Sequence, residues 1–497
     1  MDVKLRDEQV KAIESIEKNI IINAGAGTGK TEVLTRRYVH LLKHGELIPN
    51  KEVSSIVAIT FTKKAAAEMK ERVKNLVSES EDIYLLSMLG DLTDPNISTI
   101  DSFCGKLVRE NSYYLDIDPN FTIMEEEESF QLFNHVLNCL LEKDEYKGLV
   151  LDILNITGKR QSDQVRFDIG SVYGEIRDLP IDIGYFLQLL KNREPLLNHY
   201  PKREEIVEEL IKLHESKKLP KSLEDFLFLK NNINHLKDRD YGVFMEFVKM
   251  INKLTASKYD YLKSLIDLEY EFIEYELMDR CTLLLQLFME LDEIIFKEKK
   301  ALGRFDFSDI LRMALKLFDI PEIKEKIQSE IRYLMVDEYQ DSNDLQKKLF
   351  YEICSTKDIL DRNNLFVVGD PKQSIYGFRG ANINVFNETL EDILKTNGEL
   401  IDFRMNFRSD KRIIEPINNI YSQVMEDRYT SLDFNKDSGK SNFLIMDGEK
   451  DQGRSVEVDL TTKYILDSIK SQRGELKDFT LLFRTRSGMK DFENSFN

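Results

Sequence analysis

Tryptophan is absent from the 497 residues, and only four cysteines are present, at 104, 139, 281 and 354. They form no Cys-x-x-Cys pair, which argues against a disulfide framework and against a cysteine-built zinc or iron–sulfur site within the chain. Long hydrophobic runs are also missing. No stretch of about 18 uninterrupted apolar residues occurs, and the opening MDVKLRDEQV holds no apolar signal core. Membrane spanning and secretion are therefore not expected, and a cytoplasmic location is. Positive charge is in deficit too: the net charge is −19, which at first argues against nucleic acid as a partner. Yet residues 1–110 carry 16 Lys and Arg against 17 Asp and Glu, so nearly all the acidic excess lies further on. A local basic groove is compatible with that distribution.

What the chain does have is 32% charged and 42% hydrophobic residues, the balance of a soluble, helix-rich protein. Its length predicts about three or four domains. The most informative stretch is 23–31, Asn-Ala-Gly-Ala-Gly-Thr-Gly-Lys-Thr. It follows the apolar run Ile20, Ile21, Ile22 and precedes a helical pattern from Glu32 to His44, the strand–turn–helix order of a phosphate-binding loop. Glycines 25, 27 and 29 allow a tight turn whose N–H groups and helix N-terminus face a polyphosphate. The cradle is expected to run through Ala24, Gly25, Ala26, Gly27, Thr28 and Gly29. Lys30 is expected on the terminal phosphates, and the Thr31 hydroxyl on Mg2+. Gln9, on a short amphipathic helix with Val10, Ile13 and Ile16, has an amide suited to the mixed donor and acceptor edge of adenine.

The matching acidic signal is Tyr333-Leu334-Met335-Val336-Asp337-Glu338-Tyr339-Gln340-Asp341, an apolar strand ending in paired carboxylates. Asp337 is expected to hold the metal, and Glu338 to deprotonate a water. Strand alternation predicts that the two point to opposite faces. Residues 55–60 read as a buried strand that delivers Phe61, Thr62, Lys63 and Lys64 to its carboxyl end, and a helix follows. An aromatic face with a hydroxyl and cations suits a single-stranded nucleic acid. Asn96 to Asn111 reads as a further strand and helix with hydroxyls, including Ser102, grouped at the turn. The buried strand from Leu365 to Gly369 leads to Gln373, placed to sense a terminal phosphate, and to Tyr376 and Phe378, placed to stack on bases.

Taken in order, these motifs resemble the UvrD/Rep-like superfamily 1 DNA helicases, and most closely the RecB and AddA type subunits of bacterial helicase-nucleases. Tyr-Tyr-Leu-Asp-Ile-Asp-Pro-Asn-Phe at 113–121 is similar to that type as well. Asp101 stands where the family usually has His, and Phe378 where relatives often have Trp. Arg408, in Asn406-Phe407-Arg408-Ser409, matches the family arginine that reaches the γ-phosphate from a second domain. The resemblance implies an α/β fold: a P-loop NTPase of RecA-like parallel-sheet domains with a large helical insertion. Its domains would run 1–121 (1A, first half), 122–300 (helical 1B), 301–382 (1A, second half) and 383–497 (2A, incomplete). Phe479 to Thr485 reads as a further strand of the last. The family's second phosphate-contacting arginine, its 2B insertion and its nuclease find no match here. The implied activity is ATP-dependent 3′–5′ movement on single-stranded DNA and unwinding of duplex in recombination and double-strand-break repair. ATP and Mg2+ would be its cofactors, and its partners DNA and a nuclease subunit. The alternative is an ATP- and DNA-binding protein without catalytic activity that needs a further part to gain it.

Overall fold

The computed structural model describes residues 5–157, 161–197, 269–356, 359–426, 429–437, 453–471, 474–483 and 485–496. In chain order its strands are β1 (Ile20–Ala24), β2 (Ile56–Thr60), β3 (Ile97–Thr99), β4 (Thr122–Ile123), β5 (Arg304–Phe305), β6 (Tyr333–Val336), β7 (Leu365–Gly369), β8 (Glu399–Phe403), β9 (Met405–Asp410) and β10 (Asp433–Lys436). Six of them form one sheet in the order β3-β2-β6-β7-β1-β8. Every pairing in it is parallel.

Apolar residues on both faces of these strands explain the layering. Ile21, Val57, Ile59, Leu334, Val336, Leu365 and Val367 enter one core. Their neighbours Ile20, Ile22, Ile56, Ala58, Met335, Phe366 and Val368 enter the other. Helices Asp7–Glu14, Lys30–His44 and Lys63–Ser78 cover the second face. Helices Ile100–Glu110, Phe307–Lys316, Asp344–Cys354 and Ile383–Lys395 cover the first. Cys104 and Cys354 are buried in that first core as free thiols.

Between β4 and β5 the chain leaves the sheet domain for a helical insertion with its own core. Among the described residues it consists of helices Glu126–Leu141, Leu149–Thr157, Ser162–Arg177, Ile183–Leu197 and Glu269–Leu302. The helical pattern at Ile206, Leu210 and Leu213 lies outside the described residues. β4 and β5 pair in parallel, Thr122 with Arg304 and Ile123 with Phe305, so the exit and the return lie side by side. A buried ionic cluster fastens the insertion to helix Phe307–Lys316. Lys299, with its side chain 1% exposed, pairs with Asp306 and with Asp309 at 2.7 Å, and Arg177 reaches Asp309 at 2.6 Å. Burial alone would raise the Asp306 carboxyl, but Lys299 and Arg177 outweigh it and hold that group well below the usual carboxylate range.

Two expectations change. Residues 399–403 do form a strand, but it lies beside β1 in the first sheet, with Ile22 opposite Ile401. The compact units accordingly divide after Arg408, as Met1–Arg408 and Ser409–Asn497, and not at 382/383. The reason is register: β8 shields the otherwise open edge of β1, a choice of partner that local pattern does not encode. In the second unit, helices Gly453–Lys470 and Met489–Phe496 pack together through Thr462 and Ser495, 2.7 Å apart. Residues 479–483 of that unit are not a strand, and residue 484 lies outside the described set. Leu482 is 92% exposed, so the run has apolar residues but no ladder partner among the described residues.

Candidate nucleotide and nucleic-acid site

Because all six strands are parallel, the turns that follow them share the carboxyl edge of the sheet, where open α/β sheets place ligands. The loop after β1 is built as expected. Gly27 and Gly29 have φ of +74° and +89°, values that an L side chain rarely adopts. The Thr28 hydroxyl donates to the Gly25 carbonyl at 2.8 Å, and helix Lys30–His44 begins directly after Gly29. Thr31 sits in the first turn of that helix. Gln9 is buried; its Nε2 donates to the Thr28 carbonyl at 3.1 Å, and its Oε1 accepts from Arg6 N at 3.1 Å. The helix that carries Gln9 is held by the buried Arg37, whose guanidinium donates to the Ala12 carbonyl at 2.6 Å and the Ser15 carbonyl at 2.9 Å.

Asp337 and Glu338 come just after the last residue of β6, and here the alternation argument fails. Glu338 has φ +50°, a left-handed conformation that costs a non-glycine residue about 1–3 kcal/mol. That turn carries its carboxylate to Lys30, with Nζ to Oε2 at 2.9 Å. Asp337 feels both charges: burial and the neighbouring Glu338 push its carboxyl up to about 6, against the opposing pull of Lys30. The two acids thus share one site. Asp341 is likewise raised to about 6 by burial and Glu338, and its Oδ1 is buried with no hydrogen-bond partner.

From Glu338 a chain of hydrogen bonds crosses the sheet edge. Gln340 Nε2 donates to Glu338 Oε2 at 2.8 Å, and Gln340 Oε1 accepts from Asp370 N at 3.0 Å. Asp370 Oδ2 in turn accepts from Gln373 Nε2 at 2.7 Å. Lys30, Glu338 and Gln373 are therefore connected through Gln340 and Asp370, both 2% exposed. Sequence reasoning gave Gln340 no role of its own and missed Asp370. A buried Asp directly after a glycine-ended strand is the signal that was available. Gly369 is required there because a Cβ would stand 2.6 Å from Gln340 Oε1.

β9 approaches the loop from the other side. Asn406 Nδ2 donates to the Ala26 carbonyl at 2.6 Å, and Phe407 N donates to the Gly27 carbonyl at 2.8 Å. Arg408 N donates to Asn406 Oδ1 at 2.9 Å. A Cβ on Gly27 would lie 2.7 Å from the Arg408 Cβ, so Arg408 is brought to the loop. Asn406 and Asp402, which accepts from Asn23 at 2.8 Å, are further residues that sequence reasoning missed.

The nucleic-acid candidates form a second group. Phe61 lies 4.6 Å from Tyr376 between ring centroids, and Tyr376 lies 5.9 Å from Phe378. Phe378 is 80% exposed and Phe61 37%, leaving ring surface open. Thr62 caps helix Lys63–Ser78 by accepting from Ala65 N, and Lys63 opens that helix. Ser102 is not part of the aromatic row: its hydroxyl lies 3.0 Å from Thr99 Oγ1, at the edge strand.

A parallel sheet with a glycine loop after β1 and carboxylates after β6, two places away, is the arrangement of the P-loop nucleotide-binding α/β domains. Within that class, residues 5–394 match the UvrD/REP helicase N-terminal domain, and the chain belongs to that family. It is similar to the AddA-type ATP-dependent helicase/nuclease protein of Natranaerobius thermophilus, 28% identical over 87% of this chain and 39% of the relative. The protein of the same name from Lactobacillus johnsonii is 28% identical over 87% of this chain and 41% of its own length. That of Streptococcus sanguinis is 26% identical over 97% and 46%. The chain thus spans under half the length of these relatives. No helix among the described residues is long and apolar enough to cross a membrane.

Proposed function

We propose that the chain is the ATP-hydrolysing, single-strand-gripping part of an ATP-dependent DNA helicase that moves 3′ to 5′ and unwinds duplex in recombination and double-strand-break repair. The observation that carries this is the hydrogen-bond chain from Lys30 through Glu338, Gln340 and Asp370 to Gln373, three residues before the Tyr376 ring. Such a chain can pass a change at a phosphate to the base-stacking row. In this reading Lys30 exchanges Glu338 for phosphate oxygens, which frees Glu338 to take a proton from the attacking water. Arg408 supplies a planar, permanent charge to the phosphoryl group in flight, and Gln373 reports its presence. The donor set fits Mg2+: a hydroxyl at Thr31 and a carboxyl at Asp337 that is short of positive charge. Bound there, Mg2+ would neutralise charge on the phosphates. Direction of travel, the repair role and a nuclease partner rest on the family and on the names of the relatives.

Hydrolysis of ATP by the 497-residue chain, with and without single-stranded DNA, tests the reading, with Lys30→Ala as the blank. Stimulation by DNA that the variant lacks is expected; turnover equal in both proteins refutes the mechanism. A second reading is supported by the 39–46% coverage of the relatives. In it the chain binds ATP and DNA but hydrolyses only when joined by a further polypeptide, and Lys30-dependent ATP binding without turnover would favour it.

A further inference from the structure

A cavity of about 380 Å³ runs along edge strand β3, between helices Lys63–Ser78 and Ile100–Glu110. Its wall sets three ammonium groups, Lys63, Lys70 and Lys106, against one carboxylate, Asp94. In a chain of net charge −19 this is a local reversal of sign. Lys70 donates to Asp94 at 2.9 Å, but that Asp94 side chain is 92% exposed, so solvent competes for it and the pair is weak. Lys106 holds only a neutral partner, Asn96 Oδ1, at 2.8 Å. A further carboxyl, Asp101, faces Lys63 but is largely buried. The groove's one aromatic, Phe103, is 7% exposed and offers no face for stacking. Ammonium and hydroxyl donors without an open ring suit a sugar-phosphate backbone and not a base.

We propose that this groove binds the phosphodiester backbone of the single strand beyond the aromatic row, with Lys70 and Lys106 as its phosphate contacts. The proposal rests on the reading above for the strand itself, and extends its path from Phe61 and Lys63 down the edge of the sheet domain. Lys70 lies two helical turns beyond Lys63 on the same helix, and Lys106 faces the same cavity from the other one. Both lie away from the phosphate loop, so neither is needed for nucleotide binding.

The test measures affinity of the 497-residue chain for oligothymidylates of increasing length across a salt series, beside the double variant Lys70→Gln, Lys106→Gln. On single strands each phosphate contact contributes about 0.7 to the slope of log affinity against log salt. The variant should therefore lose about 1.4 from that slope on long oligonucleotides. It should bind the shortest ones, and hydrolyse ATP without DNA, as the parent does. An unchanged slope with normal binding overturns the groove and leaves the helicase reading intact. Failure of the parent to bind any length overturns both. Acetylation of the unmodified parent gives an independent readout: long oligonucleotide should protect Lys70 and Lys106. Protection by inorganic phosphate alone would make the groove a free-anion site and overturn the strand path.

Discussion

Replacing Gly27 by Ala should damage the phosphate loop in two ways. The first is conformational: φ of +74° suits glycine and costs an L residue about 1–2 kcal/mol. The second is steric. The new methyl would stand 2.7 Å from the Arg408 Cβ and 2.9 Å from Asn406 Nδ2. Neither neighbour yields freely, since Asn406 is 2% exposed and doubly hydrogen-bonded, and the Arg408 Cβ is fixed by its backbone. Overpacking of this kind costs about 1–3 kcal/mol. The loop can escape the strain only by leaving its cradle geometry, which a phosphate must then restore. At 1.4 kcal/mol per tenfold, a combined penalty of at least about 2 kcal/mol lowers nucleotide affinity by about 30-fold. Fluorescent-nucleotide titration measures it, with Gly90→Ala, which meets nothing within 4 Å, as a neutral control. Asn406→Ala alone should weaken binding too, because it strips a buried hydrogen bond from the Ala26 carbonyl at about 1–3 kcal/mol. Combined with Gly27→Ala it removes part of the overlap, so the two losses should add up to less than their sum. Full additivity, or affinity within twofold of the parent for Gly27→Ala, would refute the packing of β9 on the loop.

Three further outcomes are expected. Glu338→Gln should retain nucleotide binding while turnover falls by about 10²–10⁴, the usual worth of a general base; normal turnover by steady-state assay would remove Glu338 from the chemistry. Phe378→Ala should weaken single-strand binding by about 1–3 kcal/mol and leave DNA-free hydrolysis alone, whereas Phe378→Trp should restore or improve binding, as read by fluorescence anisotropy. Asp306→Asn should loosen the insertion, measured as faster hydrogen exchange in helix Glu269–Leu302 at neutral pH. Because the folded-state carboxyl lies below its unfolded value of about 3.9, its contribution is complete above that value and is lost as pH falls through the folded one. The gap between variant and parent should therefore narrow on acidification, and a gap that widens would contradict the charge argument.

Local signals were read well where the chemistry is local. Strand, glycine turn and helix around 20–44 are contiguous, and so are the apolar run and acids of 333–341. The helical insertion was legible from its amphipathic pattern. What escaped depends on distant partners. The Leu400-Ile401-Asp402-Phe403 run looks like a strand anywhere, and only pairing with β1 assigns it to the first sheet. The family match itself ends at residue 394, short of that strand. Phe479 to Phe483 carries the same kind of apolar signal but finds no ladder partner among the described residues. Glu338 departs from alternation because the strand stops at Val336, a boundary shift of two residues that reverses which way a side chain points. Asn406 and Asp370 acquire meaning only from the backbone groups they meet across the sheet edge.

The adjacent β4 and β5 give the insertion the topology of a cassette. Its two ends enter the parent domain one strand spacing apart, so a linker of a few residues could rejoin the chain there and leave the six-stranded sheet unbroken. One obstacle travels with the excision. Removing Lys299 and Arg177 would strand the carboxylate of Asp309, 1% exposed, without a counter-charge. A minimal ATPase core of this family would therefore have to neutralise Asp309, and with it Asp306, in the same step. In evolutionary language the insertion is modular in its chain path but not in its charge, so exchange between relatives should carry the acids and their cations as a set.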